Sequence, residues 1–116
     1  MVLLLDDDED FRRALAANLA YDGYRVRDFA RPADVPPPPF AESISVVIVE
    51  FEMDGEDGLS FADRFHAAHP DVPVVMLTAY WSDFLDREIA ARNFIALRRK
   101  PVDYEELARL LPSLAH

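Results

Sequence analysis

The sequence predicts an α/β domain, with an open parallel sheet and helices on both faces. Three observations predict it. Strand-like and helix-like patterns alternate along the whole chain, as they do in a series of βα units. Val2–Leu5, Val46–Val49 and Val74–Leu77 are short apolar runs bounded by polar residues, and a less regular run covers Phe94–Leu97. Such runs are buried parallel strands. These runs also lead into polar residues: Asp6-Asp7-Asp8, then Glu50, then Thr78, then Lys100-Pro101. Open α/β sheets bind ligands beyond the carboxyl ends of their strands. The four ends therefore predict one site holding carboxylates, a hydroxyl and an ammonium.

Each element follows from its local pattern. After the first strand, Phe11, Leu15 and Leu19 recur at helical spacing. Asp8 or Asp10 can cap that helix, and Gly23 suits its stop. Tyr24–Phe29 alternates, with Tyr24 and Val26 on one face and Arg25 and Arg27 on the other, a half-polar pattern that suits an edge strand. A helix belongs next, yet the chain reads Arg31-Pro-Ala-Asp-Val-Pro-Pro-Pro-Pro-Phe40. Four successive prolines exclude a helix interior. At most one turn is expected near Ala33, then an extended polyproline piece. This run is a shortened connector or a docking motif for a proline-binding partner.

Ser45–Val49 is the most apolar strand and therefore the most central. Met53–Gly58 is a loop with two glycines. Leu59, Ala62, Phe65 and Ala68 form a helix stripe ending before Pro70, and Pro73–Leu77 is the fourth strand. Ser82 can cap a helix bearing Leu85 and Ile89, which ends near Asn93. Phe94–Leu97 is the fifth strand. Asp103 and Glu106 have capping-box spacing, and Leu107, Leu110, Leu111 and Leu114 stripe the last helix.

Composition sets the bounds. At 116 residues, 51% of them hydrophobic, the chain makes one domain (1–116) with a proper core. It has no cysteine, which excludes disulfides, thiolate zinc sites and cysteine nucleophiles and fits the cytoplasm. Twelve Lys and Arg stand against 22 Asp and Glu, a formal charge of −10. Such a domain repels nucleic-acid backbones and anionic lipid, so neither is an expected partner. No apolar run is long enough to span a membrane, and the start lacks the basic region of a signal peptide.

These features together resemble the receiver domain of bacterial two-component response regulators. Five βα units, an acidic triplet after the first strand, Thr78 after the fourth and Lys100-Pro101 after the fifth carry the resemblance over essentially the whole chain. It implies a flavodoxin-like (βα)5 three-layer sandwich with strand order 2-1-3-4-5 and a second helix shortened by the proline run. Phosphoryl transfer to a carboxylate brings anions together and calls for a divalent cation, which hard Mg²⁺ provides. By resemblance, Asp7 holds the metal directly, Asp6 largely through water, and the Glu52 main-chain carbonyl adds a ligand. Thr78 would bond a phosphoryl oxygen, and Lys100 would pair with the phosphoryl group or the acceptor carboxylate. The Lys100–Pro101 peptide would be cis. The implied partner is a sensor histidine kinase or a downstream protein, with a possible homodimer through the fourth helix, fifth strand and fifth helix. The competing reading of the acidic triplet is a helix cap with favourable dipole charge. Thr78 alone could be a strand residue and Lys100 alone a solvated charge. His66 and His69 are expected at the surface.

The chain departs from the family at its central residue. Glu50-Phe-Glu-Met-Asp-Gly-Glu-Asp-Gly-Leu59 tracks the family's Asp-Leu-x-Met-Pro-Gly-x-Asp-Gly pattern, so the phosphoacceptor aspartate is here Glu50. Glutamate is longer by one bond of about 1.5 Å, and in-line attack loses about a hundredfold for a 1 Å misplacement. The longer acid also partly imitates a phosphorylated aspartate, and it is expected to weaken Mg²⁺ binding. Leu97 stands where active receivers usually carry an aromatic switch residue. Asn93-Phe94 replaces a common Gly-Ala, asparagine being tolerant of the left-handed conformation. Tyr80 and Trp81 are large aromatics near the site that shield it, anchor a partner or pack locally. Three readings follow: a degenerate receiver that interacts without phosphorylation, an ordinary phospho-accepting receiver carrying an engineered Asp-to-Glu mimic, and another Mg²⁺-dependent phosphotransferase. The chain ends after the last helix, so a stand-alone regulator and a domain of a larger one are both compatible with it.

Overall fold

The computed structural model describes residues 1–38, 40, 43–80 and 82–114, the last three without their side chains. In chain order the elements are β1 (Val2–Leu5), α1 (Glu9–Tyr21), β2 (Val26–Phe29), a 3-10 turn (Pro32–Asp34), β3 (Val46–Val49), α2 (Gly58–Ala68), β4 (Val74–Thr78), α3 (Asp83–Ala90), β5 (Ile95–Arg99) and α4 (Tyr104–Leu114). All strand pairs are parallel and the order is β2-β1-β3-β4-β5. This is the expected sandwich, with four α-helices among the described residues instead of five, the proline run standing where one belongs.

Strand alternation divides the core into two layers. Leu3, Leu5, Val47, Val49, Val74 and Met76 face one side, where Phe61, Phe65, Leu85 and Ile89 of α2 and α3 cover them. Val2, Leu4, Val46, Ile48, Val75 and Leu77 face the other, under Leu15 and Leu19 of α1 and Leu107 and Leu111 of α4. The three central strands are buried throughout, whereas edge strand β2 has two exposed residues. Burial on both faces is why the central runs are uninterrupted in hydrophobicity and β2 is not.

Short polar side chains start the helices. The Asp8 carboxylate accepts from the Phe11 N–H, Asp57 from Ser60 and the Ser82 hydroxyl from Leu85. Asp103 accepts from the Glu105 N–H at 3.0 Å, one residue earlier than the expected capping box. β5 runs to Arg99, two residues past the apolar run, because its register follows β4 from Val74↔Ile95 to Thr78↔Arg99. Ladder pairing, not side-chain polarity, sets its end.

The proline segment makes one 3-10 turn at Pro32–Asp34 and no helix over the described residues that follow. Val35 and Phe40 pack against the core beside α2, so two apolar anchors replace the face of a helix. Pro39, Trp81 and the Leu114 side chain lie outside the described residues. The two histidines are not free surface residues. His66 stacks on Phe94 with centroids 3.7 Å apart, and His69 on Phe65 at 4.5 Å. Both rings are half-buried against these apolar faces, and the His66 Nδ1 is buried without a hydrogen-bond partner. Asn93 does not take the left-handed conformation: no non-glycine residue does so among those described.

Tyr104 ties α4 to the end of α1, its hydroxyl 2.7 Å from the Asp22 carboxylate. Burial, then the hydrogen bond to Asp22, pushes the phenol up from 10.0 to about 12. A raised folded-state value means that the stabilisation is complete below pH 10 and is lost as pH rises through about 12. In an absorbance titration of tyrosinate, Tyr104→Phe is expected to remove a phenol that ionises near pH 12. A Tyr104→Phe titration that loses an early-ionising phenol instead would contradict this.

Candidate functional site

Parallel strands bring their carboxyl ends to one edge of the sheet, and three charged side chains meet there. Asp6 follows β1, Glu50 follows β3 and Lys100 follows β5. The Lys100 Nζ lies 2.7 Å from Asp6 Oδ2 and 3.0 Å from Glu50 Oε1. It also sits 4.1 Å from the centroid of the Phe11 ring, a cation–π contact from the first turns of α1. The side chains are 15%, 2% and 10% exposed for Lys100, Asp6 and Glu50. They therefore interact in a medium far less screening than water. The Lys100–Pro101 peptide is cis.

The backbone completes the arrangement. Asp6 Oδ1 accepts from the Asp8 N–H at 3.0 Å. Glu50 Oε2 accepts from the Phe51 N–H at 2.5 Å, with the Glu52 N–H at 3.4 Å. Arg12 of α1 donates to the Asp6 carbonyl at 2.8 Å and pairs with Asp28 of β2 at 2.9 Å, which fixes the end of β1 between its neighbours. Gly58, the first residue of α2, donates to the Phe51 carbonyl at 2.7 Å and holds the loop after β3 against the sheet.

Two carboxylates share one ammonium. Burial pushes the Asp6 carboxyl above its usual value, opposed by the Lys100 hydrogen bond, and the neighbouring Glu50 charge pushes it the same way. Burial alone would lower Lys100, but hydrogen bonds to Asp6 and Glu50 outweigh it and its value is raised. Burial raises the carboxylate, and the two carboxylate partners raise the ammonium.

Other expected members are placed differently. Thr78 is buried at the end of β4, and its hydroxyl accepts from the Tyr80 N–H at 3.0 Å. Asp6 is the buried acid that pairs with Lys100, and Asp7, expected to meet Glu50 and Lys100, is exposed beside it. Glu52 is exposed and its amide lies 3.4 Å from Glu50 Oε2. Tyr80 stacks on Phe51 with centroids 5.1 Å apart and remains 37% exposed. Leu97 is half-buried and packs against the core. Sequence reading missed Phe11 and Arg12 as site neighbours. Phe11 is legible only as part of a core stripe, and a lone helix arginine carries no signal of its carbonyl partner.

The residues in this arrangement do not fit a divalent cation. All four oxygens of Asp6 and Glu50 have N–H donors, and a positive ammonium lies between them. Among the described residues no three acidic or histidine side chains are grouped to hold a metal ion.

The architecture agrees with comparisons to known proteins. Residues 2–111 match the family model described as response regulator receiver domain. The transcriptional regulatory protein GltR of Pseudomonas aeruginosa is 33% identical over 119 residues, covering 97% of this chain and 48% of GltR. The chain spans between 24% and 48% of the length of four curated relatives it matches. A CheY-like receiver domain protein from Methanospirillum hungatei superposes with a TM-score of 0.86 at 19% identity, covering 98% and 91% of the two chains. A response regulator of Burkholderia pseudomallei, solved with a phosphorylated aspartic acid, calcium and citrate, gives 0.78 at 26%, covering 98% of this chain and 67% of that one. With these likenesses and the carboxyl-edge site in place, the chain belongs to the response regulator receiver domain family.

Proposed function

We propose that residues 1–116 form one receiver module of two-component phosphorelay signalling in which Glu50 has replaced the phosphoacceptor aspartate. The module works as a phosphorylation-independent protein-interaction domain and is not an enzyme toward other substrates. One observation carries this reading. The Glu50 carboxylate is drawn back onto the Phe51 amide and Lys100, so the acceptor position is engaged from within the chain. An acid held by an ammonium and an amide is a poorer and misplaced nucleophile. Leu97, half-buried in place of the aromatic switch, removes the side chain whose rotation would report phosphorylation.

The partner in this reading is a sensor histidine kinase or a downstream protein in the cytoplasm. It docks on α3, β5 and α4, the counterpart of the family's fourth-helix, fifth-strand and fifth-helix face, which is also the candidate homodimer face. Phe84 on α3 is 56% exposed and offers an apolar anchor there. The net charge of −10 argues against nucleic acid as this domain's partner. Magnesium, which the family likeness implies, is bound weakly at most.

A second reading is favoured by the survival of Asp6, Thr78 and Lys100 at their strand ends: an ordinary phospho-accepting receiver bearing an Asp-to-Glu mimic. Intact-mass analysis after acetyl phosphate and Mg²⁺ tests whether Glu50 itself accepts a phosphoryl group. The wild-type chain is expected to gain no phosphoryl mass and Glu50→Asp to gain one. Equal gain by both would sink the degenerate reading.

A further inference from the structure

We infer that the Lys100 ammonium, clamped by Asp6 and Glu50, neutralises the carboxylates that would draw a divalent cation to this edge, so that the domain carries its own counter-ion and holds magnesium off. The inference rests on reading these residues as a receiver site, but it concerns the cation and not the phosphoryl group.

Position comes first. A cation serving carboxylates from β1 and β3 belongs between them at the carboxyl edge. Lys100 Nζ is there, at 2.7 Å and 3.0 Å from the two acids. Oxygen occupancy comes second. Asp6 presents one oxygen to the Asp8 amide and one to Lys100; Glu50 presents one to Lys100 and one to the Phe51 amide. A metal must coordinate oxygens whose charge is already drawn on by an ammonium and two amides, with that ammonium beside it. Charge comes third. The trio sums to −1 with lysine in place, where hard divalent cations favour uncompensated carboxylate oxygens. Asp7 and Glu52 are exposed, so their side-chain charges are screened by water and the buried balance is set by the trio.

The clamp depends on the length of Glu50. Its extra methylene lets one carboxylate reach Lys100 with one oxygen and curl back to the Phe51 N–H with the other. Phe11 closes a further side of the ammonium at 4.1 Å, so lysine is held by packing as well as charge. An aspartate at position 50 loses this double reach and leaves a site in which a metal competes with lysine for shorter, less committed acids.

The test is a Mg²⁺ titration of the whole chain, followed by amide chemical shifts, with no phosphodonor present. Wild type, Glu50→Asp and Lys100→Met are compared, and each amide spectrum also reports whether that protein is folded. Saturable shifts at Asp7, Asp8, Phe51 and Glu52 are expected in Glu50→Asp. The wild-type affinity is expected to be weaker by on the order of tenfold or more, the scale on which groups around a metal site act. Lys100→Met, if folded, is expected to gain Mg²⁺ affinity because two carboxylates lose their cation; the Glu50→Asp comparison decides the matter without it. Wild-type shifts saturating at the same Mg²⁺ concentrations as Glu50→Asp overturn the inference, as does failure of Glu50→Asp to gain binding. Neither result depends on whether Glu50 accepts a phosphoryl group, so the titration and the mass measurement fail independently.

Discussion

Lys100→Met is expected to destabilise the domain by about 3 kcal/mol, because breaking a buried ion pair from one side leaves charge uncompensated. Methionine keeps the apolar stem against Phe11 and removes only the cation. Two carboxylates, with side chains 2% and 10% exposed, then face each other without a counter-ion. Asp6 already titrates above its usual range, so it relieves the strain by taking up a proton, which keeps the cost at the lower end of the range for broken buried pairs. The same reasoning gives the pH dependence its sign. The loss is largest near neutrality and shrinks as pH falls, since acid neutralises the groups that lysine had compensated. Urea unfolding of the two proteins across pH measures this. Adding Asp6→Asn to Lys100→Met is expected to recover part of the loss, and a double-mutant cycle gives the coupling. A loss below about 1 kcal/mol that does not vary with pH would place the trio among solvated surface pairs.

The trio also explains how much of the site was legible. Runs such as Val46–Val49 are apolar because both faces of the central strands are covered, so the sequence itself marks where each strand ends and which polar residue sits at its tip. That logic finds Asp6, Glu50, Thr78 and Lys100 at one edge. It does not decide which of two adjacent acids turns inward. Asp6 and Asp7 are chemically identical, and the choice depends on the backbone turn between β1 and the Asp8 cap, where Asp6 also accepts the Asp8 amide. Nor does it foresee that Glu50 folds back on Phe51, because side-chain rotamers answer to packing and not to pattern. The proline run is legible as the loss of a helix since proline chemistry is local. The use of Val35 and Phe40 as its core anchors is not, because their partners on α2 are distant in sequence. The histidines escape sequence reading for a related reason: a ring that is polar in composition scales still buries its face when a Phe lies opposite.

Gly58→Ala is expected to cost about 2–3 kcal/mol, in the range for overpacking a tight contact, and to move Glu50. A Cβ on Gly58 would stand 2.1 Å from the Glu50 carbonyl oxygen, 2.9 Å from its carbonyl carbon and 3.0 Å from Phe51 Cα. All three are backbone atoms, so no rotamer change relieves the clash. The Gly58 N–H donates to the Phe51 carbonyl at 2.7 Å, which pins the helix start to the loop that must retreat. Either α2 withdraws from β3, loosening Leu59, Phe61 and Phe65 from the core, or the chain after Glu50 shifts and carries its carboxylate away from Lys100. Gly23→Ala is the control. Gly23 has φ +95 and open space around its missing side chain, so alanine there incurs only the left-handed backbone penalty of about 1–2 kcal/mol and leaves the site untouched. Urea midpoints measure the two costs, and the amide shifts of Phe51 and Glu52 separate their origins. They are expected to move in Gly58→Ala and to stay in place in Gly23→Ala. Unmoved Phe51 and Glu52 amides in a folded Gly58→Ala protein would show that α2 yields instead of the site, and that the close approach of helix and strand end is not what positions Glu50.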